Sequence, residues 1–163
     1  MMKRRLADPM NLRALLQASG IAPGLADPDI SSLCYDSRLA TPGCLFFALP
    51  GAKSDGAAFI AQAVERGVAA VVAEKAPAES NSPVVLVPNA RAAMADVAAE
   101  FYDHPDRSLK CVGVTGTNGK TTSAFLAKHL FDAAGLHSSL VGTVKYIVAG
   151  EERPAAHTTP ESI

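Results

Sequence analysis

The residues best suited to chemistry lie in one short stretch, Gly113-Val114-Thr115-Gly116-Thr117-Asn118-Gly119-Lys120-Thr121-Thr122. Glycines at 116 and 119 let a backbone bend tightly and approach an anion with no Cβ in the way. Consecutive N–H groups in such a bend form a nest for phosphate oxygens, and a helix beginning there adds the positive end of its dipole. Lys120 can bring a point charge to terminal phosphates, and the Thr121 hydroxyl can ligate magnesium. These residue types suit the binding of a nucleoside triphosphate. The commonest phosphate-loop spacing asks for a glycine five residues before Gly119. That position is Val114, and the glycine stands one place earlier, at Gly113. The loop is therefore a variant of the form G-x-x-G-x-x-G-K-T-T.

Such a loop has to leave a strand and enter a helix. The apolar run 109–114 is the expected strand, and residues 124–131 have helical spacing, with Gly135 placed to end the helix. A further strand is expected over about 138–144. Residues 145–148 either continue it or start a hairpin through Gly150 and Glu151. Upstream, Leu12, Leu15 and Leu16 share one face of a short helix ended by Gly20. Strands are expected at 32–35, 44–49, 68–73 and 84–87, and helices over about 57–66 and from the capping residue Asn89 to about Tyr102. This alternation predicts an α/β fold. Residues 1–102 read as a small α/β domain and 103–107 as a linker. Residues 108–163 read as the start of a P-loop mononucleotide-binding domain built on a parallel sheet. Such a sheet carries more strands than follow the linker, so the chain is expected to be the N-terminal piece of a longer protein.

The chain has 163 residues, of which 48% are hydrophobic, enough to bury a core. The net charge of −1 argues against a general nucleic-acid binder. No apolar run approaches the roughly 18 residues of a membrane span. Cys34, Cys44 and Cys111 are odd in number and lack paired spacing, and no secretory leader is evident, which together suggest a reduced, cytoplasmic setting. His104, His129, His137 and His157 are scattered and make no zinc-ligand pattern.

Several motifs in order resemble one family. The glycine-rich loop is similar to the ATP loop of the Mur ligases, which build the stem peptide of peptidoglycan. Asp36-Ser37-Arg38, then Pro42-Gly43-Cys44-Leu45-Phe46-Phe47-Ala48-Leu49-Pro50-Gly51, then Asp55-Gly56 and Ala63, resemble their N-terminal uridine-nucleotide-binding domain. His157-Thr158-Thr159-Pro160-Glu161 is similar to the type that adds the third amino acid. The resemblance runs from about Leu12 to Glu161. It implies that Gly116, Thr117, Asn118, Gly119, Lys120, Thr121 and Thr122 bind ATP, with Lys120 catalytic and Thr121 on Mg2+. It implies that Tyr35, Ser37, Ala52, Lys53 and Ser54, with His157, Thr158 and Thr159, meet the UDP-N-acetylmuramoyl-peptide. Ala52 stands where the family often has His, Lys53 where it often has Gln, and His157 where Asn is common.

The reaction so implied is ATP-dependent ligation of an amino acid, meso-diaminopimelate by prevalence, to UDP-N-acetylmuramoyl-L-alanyl-D-glutamate through an acyl phosphate, by a monomer in the cytoplasm. Phosphoryl transfer demands positioning and charge neutralisation, which Lys120, the loop amides and magnesium suit. The family's carbamylated lysine and amino-acid-selecting region are expected beyond residue 163, leaving this stretch a binding module. Two other enzymes remain open, the D-Ala-D-Ala-adding ligase type and an unrelated P-loop small-molecule kinase. From spacing alone, Asp36 and Arg38 read as a turn with a surface ion pair, Lys53 as a solvated lysine and Tyr35 as a core aromatic. On the same basis Thr158 and Thr159 read as plain loop, and His157 equally as an exposed histidine.

Overall fold

A computed structural model describes residues 8–22, 26–51, 55–77, 80–155 and 161–163. Ala52, Lys53, Ser54, His157, Thr158 and Thr159 lie outside the described residues. The chain divides into two units, Met1–Leu109 with Ser162–Ile163, and Lys110–Glu161.

In the first unit, Met10–Asn11 (β1) pairs antiparallel with Asp29–Ile30 (β2), and Leu12–Ala18 (α1) lies between them in the chain. The Asn11 side chain caps α1 by accepting from the Ala14 N–H at 3.2 Å. The strands Ser32–Cys34 (β3), Cys44–Ala48 (β4), Ala70–Ala73 (β5) and Val84–Leu86 (β6) follow, with Ile60–Glu65 (α2) between β4 and β5 and Ala90–Phe101 (α3) after β6. They form a four-stranded sheet in the order β3-β4-β5-β6, parallel throughout.

β4 is buried at all five positions because both faces of the sheet are covered. Successive side chains point to opposite faces, so its two phenylalanines serve two cores. Phe47 packs with Leu15 and Leu16 of α1 and Met94 and Val97 of α3. Phe46 packs with Ile60 and Ala63 of α2. Fully burying one such ring is worth roughly 1.5–3 kcal/mol.

The four α-helices among the described residues close in the same way. After α1, Gly20 and Ile21 donate to the carbonyls of Gln17 and Leu16; after α2, Gly67 and Val68 donate to those of Val64 and Ala63. The pattern recurs after Lys120–Ala133 (α4), where Gly135 and Leu136 donate to Asp132 and Phe131. The glycines occupy the left-handed region that this closure needs. After α3 the residue in that place is Asp103, with φ 60°, and His104 N–H reaches the Ala99 carbonyl at 2.8 Å. The stretch expected as linker thus begins as a helix closure and continues as a 3-10 turn, Pro105–Ser108.

The second unit contains α4 and a three-stranded antiparallel meander of Leu140–Val141 (β7), Lys145–Val148 (β8) and Glu151–Pro154 (β9). Three expectations are corrected here. Residues 109–114 form no strand, because a strand is completed by a neighbour's N–H and C=O groups and none of the described strands runs beside them. The strand expected over 138–144 is confined to β7, and residues 145–148 turn back against it. Their hairpin to β9 turns at Ala149 and Gly150, both with positive φ, rather than at Gly150 and Glu151. The parallel sheet of the α/β fold is therefore the one in the first unit. No side chain of α4 is buried, and Leu126 and Leu130 are more than half exposed.

Candidate functional site

The phosphate loop is exposed along its length. Gly116 and Gly119 have φ of 146° and 74°, and Gly119 is the N-cap of α4. No side chain caps this terminus and no acidic residue occupies its first turn. Lys120, Thr121 and Thr122 therefore start α4 with N–H groups unclaimed by a capping side chain, at the positive end of the helix dipole. The Lys120 ammonium folds back and donates to the Gly116 carbonyl oxygen at 2.5 Å. Lysine, hydroxyls and amides of residues 116–122 are thus collected at one exposed turn. These donors fit a polyphosphate. For a metal they supply only the Thr121 hydroxyl, and no cluster of three His, Cys, Asp or Glu exists among the described residues. Magnesium there would take its remaining ligands from phosphate oxygens and water.

The far end of α4 is tied to the loop that follows it. Lys128 Nζ donates to Asp132 Oδ2 at 2.6 Å and to the Ser138 carbonyl at 3.1 Å, while Ser138 Oγ donates to Asp132 Oδ1 at 2.8 Å. Lys128, then Ser138, hold the Asp132 carboxyl down to about 2.

In the first unit, the parallel register brings together residues that are well separated in sequence. Tyr35 and Ser37 follow the carboxyl end of β3. The loop containing 52–54 leaves the carboxyl end of β4, its described ends joined by a bridge between Pro50 and Asp55. Tyr35, Ser37 and the loop ends Pro50 and Asp55 therefore share one rim of the sheet, where ligands of open parallel sheets bind. A small pocket of about 50 Å³ on that rim is lined by Ala48, Asp55 and Lys75 among others. Tyr35 is half-buried against the core that covers the α1 and α3 face.

Asp36 accepts from the Arg38 N–H at 2.9 Å, and from Nε at 2.9 Å and Nη2 at 2.6 Å of the Arg38 guanidinium. The guanidinium holds the Asp36 carboxyl below its ordinary value. The pair is the turn with a surface ion pair that spacing alone predicts, since the Arg38 side chain is 80% exposed.

Ser37 is different. It is buried, and its hydroxyl donates to Gln62 Oε1 of α2 at 2.6 Å. One turn of helix further on, Arg66 Nη1 donates to the Arg38 carbonyl at 3.1 Å. Sequence reasoning missed Gln62 and Arg66. Their signal is faint, two polar residues at i and i+4 on the side of α2 away from its apolar stripe. It also missed the reason for glycine at 56: a Cβ there would lie 2.5 Å from the Leu49 carbonyl oxygen.

Two comparisons of sequence and one of structure bear on this arrangement. Residues 29–102 match the family profile described as Mur ligase family, catalytic domain, and residues 114–163 match Mur ligase middle domain. The chain is 43% identical over 159 residues to UDP-N-acetylmuramoyl-L-alanyl-D-glutamate--2,6-diaminopimelate ligase of Solibacter usitatus, covering 94% of this chain and 32% of that protein. A solved structure of a ligase of that name is 21% identical with a TM-score of 0.70, over 95% of this chain and 31% of the other, and shows the fold. MurF ligase from Thermotoga maritima in complex with ADP is 28% identical with a TM-score of 0.50, over 63% of this chain and 23% of the other. The chain spans about a third of the length of the curated relatives it matches.

Proposed function

The chain belongs to the Mur ligase family, and on that premise we propose that the full-length protein is an ATP-dependent ligase that adds the third amino acid to UDP-N-acetylmuramoyl-L-alanyl-D-glutamate in peptidoglycan synthesis. The observation that carries the proposal is the glycine-bent loop at the uncapped start of α4, with Lys120 folded over it. In this reading residues 116–122 bind ATP with Mg2+, and Tyr35, Ser37, residues 52–54 and residues 157–159 bind the UDP-N-acetylmuramoyl-dipeptide. The 1–102 segment is then the substrate domain, 103–107 the junction, and 108–163 the beginning of the ATP domain.

ATP supplies a phosphoryl group to a substrate carboxylate, making it an electrophile for an amine. The chain's own part in that step is to hold and to neutralise. Loop N–H groups and the start of α4 orient the phosphates, and Lys120 exchanges the Gly116 carbonyl for a phosphate oxygen as charge builds there. The first unit presents the nucleotide-linked peptide from the rim of its sheet. 2,6-Diaminopimelate is the amino acid favoured by the name of the 43% identical relative, and the meso form is the one expected from the sequence. The D-Ala-D-Ala-adding type is the second reading, supported by the 28% identical ligase that binds ADP. A monomer acting in the cytoplasm belongs to the same reading, with Cys34 and Cys44 present as free thiols.

The test is ADP release by the full-length protein given ATP, Mg2+ and the UDP-linked dipeptide, with diaminopimelate, lysine or D-Ala-D-Ala offered separately. Release dependent on the dipeptide and diaminopimelate supports the proposal. Release that needs the UDP-linked tripeptide and D-Ala-D-Ala supports the second reading, and release indifferent to any uridine nucleotide overturns both.

A further inference from the structure

Ser37 is the one buried polar residue among those described, 6% exposed. A serine hydroxyl has one hydrogen to give and two lone pairs to receive with. Its hydrogen is committed to Gln62 Oε1 at 2.6 Å. A ligand therefore meets Ser37 as an acceptor, while the two N–H groups of Gln62 Nε2, on an exposed residue, take no part in that bond. Gln62 also decides where that oxygen sits. It lies on α2, with Arg66 four residues on as the C-cap of that helix, and both reach across to the turn at 37–39, one through the Ser37 side chain and the other through the Arg38 carbonyl. α2 is itself anchored, since Ile60 and Ala63 are buried against β4 and β5. The turn is thus braced against the helix layer, while the Asp36–Arg38 pair on its outer side adds only an exposed contact.

We propose that Gln62 is a positioning residue of the uridine-nucleotide site, which fixes the Ser37 oxygen as an acceptor for a donor group of the nucleoside. This rests on the reading of Tyr35, Ser37 and the neighbouring rim as that site. Two donors of a uridine nucleotide fit the chemistry, the ring imide N–H and the ribose hydroxyls. The diphosphate, which has acceptors alone, does not.

The experiment uses the full-length ligase and compares Gln62→Ala, Gln62→Glu, Ser37→Ala and the double variant Ser37→Ala/Gln62→Ala. The expected result is a rise of roughly tenfold in KM for the UDP-linked dipeptide with Gln62→Ala, with kcat and KM for ATP unchanged. The double variant should be no worse than the worse single one, because both remove the same bond. Gln62→Glu, which keeps an acceptor for the Ser37 hydrogen, should recover most of the affinity. Affinity for UDP, CDP and 2′-deoxy-UDP separates the two donors: loss with CDP assigns the imide N–H, loss with deoxy-UDP the ribose. An unaltered KM in Gln62→Ala overturns the inference. So do additive effects in the double variant, or a lowered Tm with no KM change specific to the nucleotide. Wild-type protein that binds no uridine nucleotide overturns the reading of the site as well, so the two failures are distinguishable.

Discussion

The ammonium of Lys120 and the carbonyl oxygen of Gly116 are 2.5 Å apart, joined across the four-residue interval that forms the tip of the phosphate loop. The contact preloads the lysine at the start of α4, over the turn where N–H groups converge. Replacing Lys120 by Ala in the full-length ligase should lower kcat/KM for ATP by roughly 10²- to 10³-fold, the usual effect of losing one preorganised charge-stabilising donor. Binding of the uridine nucleotide, followed by calorimetry, should be unchanged. Equal loss of both would show that the two sites are not separate.

Gly56 approaches the end of β4 so closely that a Cβ would meet Leu49 and Ala48 backbone atoms at 2.5 to 2.8 Å. Backbone cannot swing aside as a side-chain tip can. Gly56→Ala should destabilise the first unit by about 1–3 kcal/mol, read as a lowered urea midpoint. An unchanged midpoint would mean that the loop after β4 yields freely.

Asp132 titrates at about 2 because Lys128 and Ser138 hold its charged form. Its folded value lies below the usual unfolded value near 4. The tether from α4 to Ser138 is therefore complete above about pH 4 and is lost as pH falls through 2. Carboxyl carbon shifts followed by NMR should show that midpoint, and Lys128→Met should move it upward. A midpoint near 4 in the unaltered chain would contradict the hydrogen-bonded arrangement.

Asp103 and Ala149 hold left-handed conformations, φ 60° and 52°, that L-residues adopt at a cost. Asp103→Gly should relieve the closure of α3, and Ala149→Asn should give the β8–β9 hairpin the Asn-Gly pair that its turn favours. Each should stabilise by up to about 1 kcal/mol. Thermal unfolding monitors the first, and amide exchange protection of 145–154 the second. A drop in either would show that the native side chain makes a compensating contact.

Much of the first unit was legible in the chain because its signals are local. The unbroken apolar run at 44–49 announces a strand covered on both faces, and Asn89 announces the helix start that it caps. Residues 109–114 misled because apolar composition predicts burial, whereas a strand also requires a partner that the local sequence cannot name. Asp103 misled for the opposite reason: it performs a glycine's task without being glycine. At the candidate site, the bent turn and helix start at 116–122 were readable from residue type, since Gly116 and Gly119 take the positive φ that the turn needs. Gln62 was not, because its importance comes from reaching a residue 25 positions away, a distance that only the packing of α2 on β4 closes.

The division of β4 between its two phenylalanines has a further consequence for how such a protein can diversify. Phe46 and Phe47 fasten the sheet to its helix layers, while the segments expected to touch substrate leave from its carboxyl rim. Foldability and selectivity are therefore written in different letters of the same strand-and-loop sentence. On the proposed reading, ligand contacts can change along that rim while Phe46 and Phe47 keep the sheet fastened to its helices.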